Sequence, residues 1–171
     1  MSAVRSARGS GRAGGFTLLE LLVTITVFGI LTAIAVPSYT RFVASQKVRA
    51  ASSDLYLSLV RARSEALKRS ASVTLQPAAS GWQGGWTIPD PNSHSSSGLI
   101  ETHGAVSGVS ITGPTTVVYQ SSGRTGAATS CSATPPIGCF VVASSTWSGA
   151  TACVSVDLSG RPYSAIGVST C

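Results

Sequence analysis

Glu20 is the first residue whose setting calls for chemistry. It lies four residues inside an apolar run from Phe16 to Val36, and an acid in such a run marks a functional position by default, because a carboxylate held away from water needs a partner. The alternative is an acid resting at a membrane interface beside lipid headgroups. The second group is the four thiols, Cys131, Cys139, Cys153 and Cys171. Four cysteines allow three pairings. The pairing expected joins Cys131 to Cys139, closing a proline-containing loop, and Cys153 to Cys171, pinning the C-terminus, each contributing about 2 to 4 kcal/mol. Zinc is the other chemistry that thiols offer. It finds no closely spaced cysteine pair, and neither His94 nor His103 has a ligand partner at a characteristic spacing, so no metal and no cofactor are expected. Catalysis has little to stand on. The later acids, Asp90, Glu101 and Asp157, are scattered, no phosphate-binding loop, G-x-S-x-G or H-E-x-x-H is present, and the two histidines read as solvated. The expectation is a protein that is not an enzyme.

The element that must carry Glu20 is long. About 21 apolar residues at roughly 1.5 Å each span a hydrocarbon core of about 30 Å. Phe, Leu, Ile and Val supply roughly −0.3 to −0.6 kcal/mol each on insertion, against about 2.5 to 3.5 for a central acid, and Glu20 is near one end. Ahead lie Arg5, Arg8 and Arg12 without any acid, the pattern of an export signal whose basic side stays in the cytoplasm. The run exceeds the roughly 7 to 15 residues of a secretory h-region, and no A-x-A-like cleavage site follows it. Small residues, Gly14 and Gly15, precede the run instead. Gly29 and Ala33 form a small-xxx-small pair that would let helices approach.

From Ser38 to about Arg69 the chain has neither glycine nor proline and is rich in helix formers. Val48, Ala51, Leu55, Leu59, Ala62 and Ala66 recur at spacings of three and four, forming an apolar stripe, with Asp54, Ser58, Arg61, Glu65 and Lys68 opposite. The net charge of the whole chain is +6. Without the three leading arginines nine basic and six acidic side chains give +3, and this helical stretch alone carries seven basic residues against two acids. Such a face could meet lipid headgroups or nucleic acid.

After Ala71 the composition turns to Ser, Thr, Gly, Val and Pro. Eight short β-branched runs begin at positions 72, 85, 98, 106, 115, 138, 151 and 161, predicting a mostly antiparallel sheet with the helix's stripe on one face, an α+β arrangement. Residues 89–98 and 121–136 have loop composition. Trp82 and Trp86 read as a hairpin packed on the sheet rather than a ligand platform. One domain fits the remaining length.

Gly15-Phe16-Thr17-Leu18-Leu19-Glu20 resembles the processing motif of type IV pilins and type II secretion pseudopilins. That resemblance implies cutting by a prepilin peptidase between Gly15 and Phe16, N-methylation of Phe16, and Glu20 as the acid that serves assembly, meeting the new amine of a neighbouring Phe16. Pro37 falls where many of these proteins have a helix-kinking proline. Further on, ARSEALKRSASVTL from Ala62, GWQGGW from Gly81 and VDLSGRP from Val156 resemble the GspH/FimT family of minor pilins and pseudopilins. The resemblance covers nearly the whole chain. It implies a type IV pilin-like fold divided into a leader (1–15), a transmembrane helix (16–37), its amphipathic continuation (38–70) and a periplasmic head (71–171).

It further implies a single-pass inner-membrane subunit, leader in the cytoplasm, that joins other minor and major pilins or pseudopilins and helps to initiate or cap a secretion pseudopilus or a pilus. The alternative is DNA binding for uptake, associated with the FimT branch and its C-terminal Gly-Arg-x-Arg. Here that place reads Gly160-Arg161-Pro162-Tyr163, without the second arginine. From Ala71 onward only Arg124 and Arg161 are basic, against three acids. Nucleic acid is therefore the less favoured partner.

Overall fold

The computed structural model describes residues 15–92, 98–126, 131, 138–168 and 171. His94 and much of both expected loops lie outside them, as do residues 1–14. One helix, α1, runs Leu18–Arg69 and is followed by eight strands: β1 Val73–Ala78, β2 Gly81–Pro89, β3 Leu99–His103, β4 Val109–Thr112, β5 Val117–Tyr119, β6 Cys139–Ser144, β7 Thr151–Val156 and β8 Pro162–Ile166. The chain divides between Ser38 and Tyr39 into two units.

In the first unit, α1 starts at a cap that the sequence spells out. The Glu20 amide donates to Thr17 Oγ1 at 3.1 Å, and the Leu21 amide to the Thr17 carbonyl at 3.1 Å. Thr17 and Glu20 thus hold the Ncap and N3 places of a T-x-x-E capping box. The large apolar side chains that follow, from Leu18 to Val36, are exposed. Pro37 lies inside the helix, where it has no N–H to offer the carbonyl four residues earlier.

In the second unit α1 is amphipathic. Val48, Ala51, Leu55, Leu59, Ala62 and Ala66 are all buried, joined by Ala44 at the front of the stripe. Four of these seven are alanines, each no more than 1% exposed, so much of the buried stripe is made of single methyl groups. Past Arg69 the backbone reverses through Ser70, at φ 50°, with the Ala71 amide reaching back to the Ala66 carbonyl at 3.3 Å, a Schellman-type closure.

The head departs from the sequence reading in having two sheets. One has the order β3-β2-β1-β5 and the other β4-β6-β7-β8, and all the named pairings are antiparallel. Twist disfavours one broad eight-stranded sheet over a small core. The chain passes between the sheets three times, from β3 to β4, from β4 to β5 and from β5 to β6, the second time through Gly113-Pro114. There a Cβ on Gly113 would strike the Phe140 ring, and the Pro114 carbonyl accepts the Trp82 Nε1–H at 2.7 Å. Trp82 also meets Phe140 of β6 edge-on, ring centroids 4.8 Å apart, so this one side chain ties the sheets together. The helix stripe and the inward side chains of both sheets form a single core. Strand β2 begins at Gly81, earlier than the expected run at 85, and both tryptophans are buried in it.

Candidate functional site

Two regions present organised chemistry, the N-terminal half of α1 and the polar surface of the head. In the first, Phe16, Glu20 and the apolar side chains between Leu18 and Val36 stand exposed. The helix is long and apolar enough to cross a membrane, and none of its most apolar window is buried. No ion pair is recorded for Glu20 among the described residues. The Thr17 cap explains how the helix begins, and a carboxylate near that end also meets the positive end of the helix dipole.

In the head, polar side chains of α1 fasten the strands. Ser58, assigned by its spacing to the solvated face, is instead only 2% exposed. It accepts the Trp86 Nε1–H at 2.9 Å and donates to Glu101 Oε1 at 2.6 Å, while Arg61 Nε lies 3.2 Å from Glu101 Oε2. The small hydroxyl accepts from the buried indole and donates in turn to the carboxylate, linking the two. His103 also differs from its expected place in a solvated loop. It ends β3, stacks on Trp86 with centroids 4.0 Å apart, and sets Nε2 3.4 Å from Asp54 Oδ2. Two turns beyond Arg61, Arg69 binds both Glu65 Oε2 and Asp90 Oδ1 at 2.7 Å. That bond holds the Glu65 carboxyl below its ordinary range, against the opposing effect of desolvation, and raises Arg69. Arg69 and Asp90 were not legible as partners, since they are separated by a whole strand pair.

The closing motif VDLSGRP is a turn between β7 and β8. Asp157 Oδ1 accepts the Ser159 hydroxyl at 2.6 Å and the Arg161 amide at 2.9 Å, and its Oδ2 accepts the Tyr163 hydroxyl at 3.3 Å. Those donors, Ser159 first, hold the Asp157 carboxyl below the usual range. Gly160 has φ 78°, and a Cβ there would run into the Gly123 carbonyl and lie 3.3 Å from Arg124 Cα, so only glycine fits. Arg63 on α1 reaches the Gly123 and Ser159 carbonyls, both at 3.1 Å. Arg124 and Arg161 are therefore on adjoining turns, both exposed. The phenol of Tyr119 is buried without a hydrogen-bond partner among the described residues, and burial pushes its pKa up.

Cys131 is bonded to Cys139 and Cys153 to Cys171, with Cα separations of 5.2 and 5.4 Å. Among the described residues no group of three or more His, Cys, Asp and Glu side chains could hold a metal ion.

A family model described as Type II transport protein GspH matches residues 51–160, well over half the chain. The chain belongs to the GspH family. Its members are minor pilins and pseudopilins, which are structural subunits. The model of the prokaryotic N-terminal methylation motif matches residues 11–36 of this GspH-family chain. Curated relatives align over short stretches. The Type IV major pilin protein PilA of Myxococcus xanthus (strain DK1622) is 40% identical over 52 residues, 30% of this chain and 24% of that protein. The Type IV major fimbrial protein FimA of Dichelobacter nodosus is 47% identical over 34 residues, 20% of this chain and 22% of that protein. The GspH-family chain thus spans about a quarter of the length of the curated relatives it matches. Among solved structures, the type IV minor pilin FimU of Pseudomonas aeruginosa strain PAO1 superposes with a TM-score of 0.55 at 18% identity, covering 71% of this chain and 90% of that one. That likeness is one of fold: a long N-terminal helix packed on antiparallel sheets.

Proposed function

We propose that this protein is a filament subunit of a type II secretion pseudopilus or a type IV pilus, which it helps to initiate or cap. It supports protein secretion or pilus biogenesis and is not an enzyme. The observation that carries the reading is the apolar half of α1, exposed along its length and bearing one carboxylate at its start. A surface of that size needs a membrane or other helices to cover it. In this reading residues 16–37 cross the inner membrane, the leader up to Gly15 faces the cytoplasm, residues 38–70 continue the helix, and the head from residue 71 lies in the periplasm. A prepilin peptidase cuts between Gly15 and Phe16, and Phe16 is N-methylated. The new amine at Phe16 is too close along its own helix to pair easily with Glu20, so Glu20 takes the amine of a neighbouring pilin or pseudopilin. That contact sets the stagger of subunits in the filament, and Pro37 lets the helix bend where it leaves the core.

Intact mass and N-terminal fragmentation of the membrane-extracted protein test the processing. A chain beginning at Phe16, one methyl group heavier, supports the reading. A chain that retains Met1, or is cut beyond Val36, overturns it. Glu20→Ala tests assembly separately: the variant is expected to be processed and inserted but absent from sheared filaments, and normal incorporation would remove the role given to Glu20.

A further inference from the structure

Among the described residues strand β8 is an edge strand, paired only with β7. The direction of its main-chain groups follows from the bonds at its two ends. The Arg161 carbonyl accepts the Asp157 amide at 3.1 Å, and the Gly167 amide donates to the Thr151 carbonyl at 2.8 Å. Bonded positions alternate in an antiparallel ladder. Tyr163 and Ala165 therefore also face β7, and Pro162, Ser164 and Ile166 turn their main-chain groups to the open side. That side offers three carbonyls and two amides, since proline has none. Edges are normally blunted by charge, bulges or proline. Here the only proline stands at the first position of the strand, and Ile166 is 52% exposed.

Beside this edge lies a groove of about 470 Å³, walled on the helix side by Arg49, Ser52, Ser53 and Tyr56 and on the other by Arg161 to Ser164 and Ile166. Among the described residues neither Arg49 nor Arg161 has a carboxylate within ion-pair distance, although Arg61, Lys68 and Arg69 on the same helix all do. The Arg161 guanidinium lies instead over the Tyr163 ring, 5.3 Å from its centroid. We propose that the open edge of β8, flanked by Arg49 and Arg161, docks an extended acidic segment of another protein, which adds as a fifth strand to the sheet β4-β6-β7-β8.

Other occupants fit less well. The leader of this chain carries three arginines and no acid and would be repelled. A second copy offers no free acidic strand, because Glu101, the acid within a described strand, is engaged by Ser58 and Arg61. A nucleic acid could satisfy the two amides and both arginines, but its phosphodiester has no donor for the three outward carbonyls. A peptide strand has both donors and acceptors at the required spacing.

The inference goes beyond the filament reading and does not depend on cleavage at Gly15. The test is hydrogen exchange of the full chain in detergent, read over residues 162–167, with the blocked peptide Glu-Val-Thr-Val-Glu as probe. Comparisons are Lys-Val-Thr-Val-Lys, the acidic peptide N-methylated on its backbone, and a single-stranded oligonucleotide. The acidic peptide is expected to slow exchange across β8 and to bind about tenfold tighter than the basic one, as two partly exposed ion pairs allow. The N-methylated peptide is expected to have no effect, and the R49E/R161E double variant to reverse the charge preference. Unchanged exchange with the acidic peptide overturns the proposal, as does equal protection by both charges. So does protection by the oligonucleotide alone, which would make this a nucleic-acid face. The peptide comparisons leave the protein unaltered, so a folding defect in the variant cannot decide the result.

Discussion

Ser58 carries more of the head than its size implies. It is the acceptor for a fully buried indole and the donor to Glu101. Removing its hydroxyl leaves the Trp86 N–H without a partner, a loss of about 1 to 3 kcal/mol. Ser58→Ala is expected to lower the unfolding free energy by that amount, read as a lower denaturation midpoint, and to change Trp86 emission, and an unchanged midpoint would show the bond to be dispensable. The same residue marks a limit of reading by spacing. Helical periodicity placed Val48 through Ala66 on the buried side, and there they are. Ser58 follows Leu55 and precedes Leu59, at the edge of the stripe, and a serine there reads as polar surface until the indole that needs it is in place. His103 escapes a reading by spacing for the same reason: its neighbour is Trp86 across a strand pair, not a residue nearby in sequence.

At the scale of elements, the turn from Asp157 to Arg161 is built around one carboxylate. Its folded pKa lies below the unfolded one, so its contribution is complete above the ordinary carboxylate range, about 3.9, and is lost as the pH falls through the depressed folded value. Asp157→Asn is expected to lower the thermal midpoint at neutral pH. It should also flatten the decline on acidification, so that the two proteins converge in acid. Parallel curves would assign the acid sensitivity to other carboxylates, Glu65 first. The strands themselves were legible, since β-branched runs between turn residues locate all eight. Their division into two sheets was not. Alternation shows which side of a strand is buried but not which strand lies opposite, and the change of sheet at Gly113-Pro114 depends on the space that Trp82 and Phe140 leave.

For the molecule as a whole, the head is closed by two bridges, and that between Cys153 and Cys171 ties the last residue of the sequence to β7. The double variant Cys153→Ser/Cys171→Ser is expected to lose about 2 to 4 kcal/mol, a fall in the head's thermal midpoint of roughly 5 to 15 °C, followed by near-ultraviolet circular dichroism of the buried tryptophans. A smaller change would mean that the core shared by the helix and both sheets holds the C-terminus unaided. That core has a lopsided tolerance for sequence drift. At Ala44, Ala51, Ala62 and Ala66, where a single methyl group is buried, a larger side chain overpacks the core, at about 1 to 3 kcal/mol each. Leu55 and Leu59 accept near-isosteric exchange at less cost. In a saturation library these four alanine positions of the helix should thus be more restrictive than the two leucines, and heads of this design should vary through their strands and loops while keeping a narrow spine.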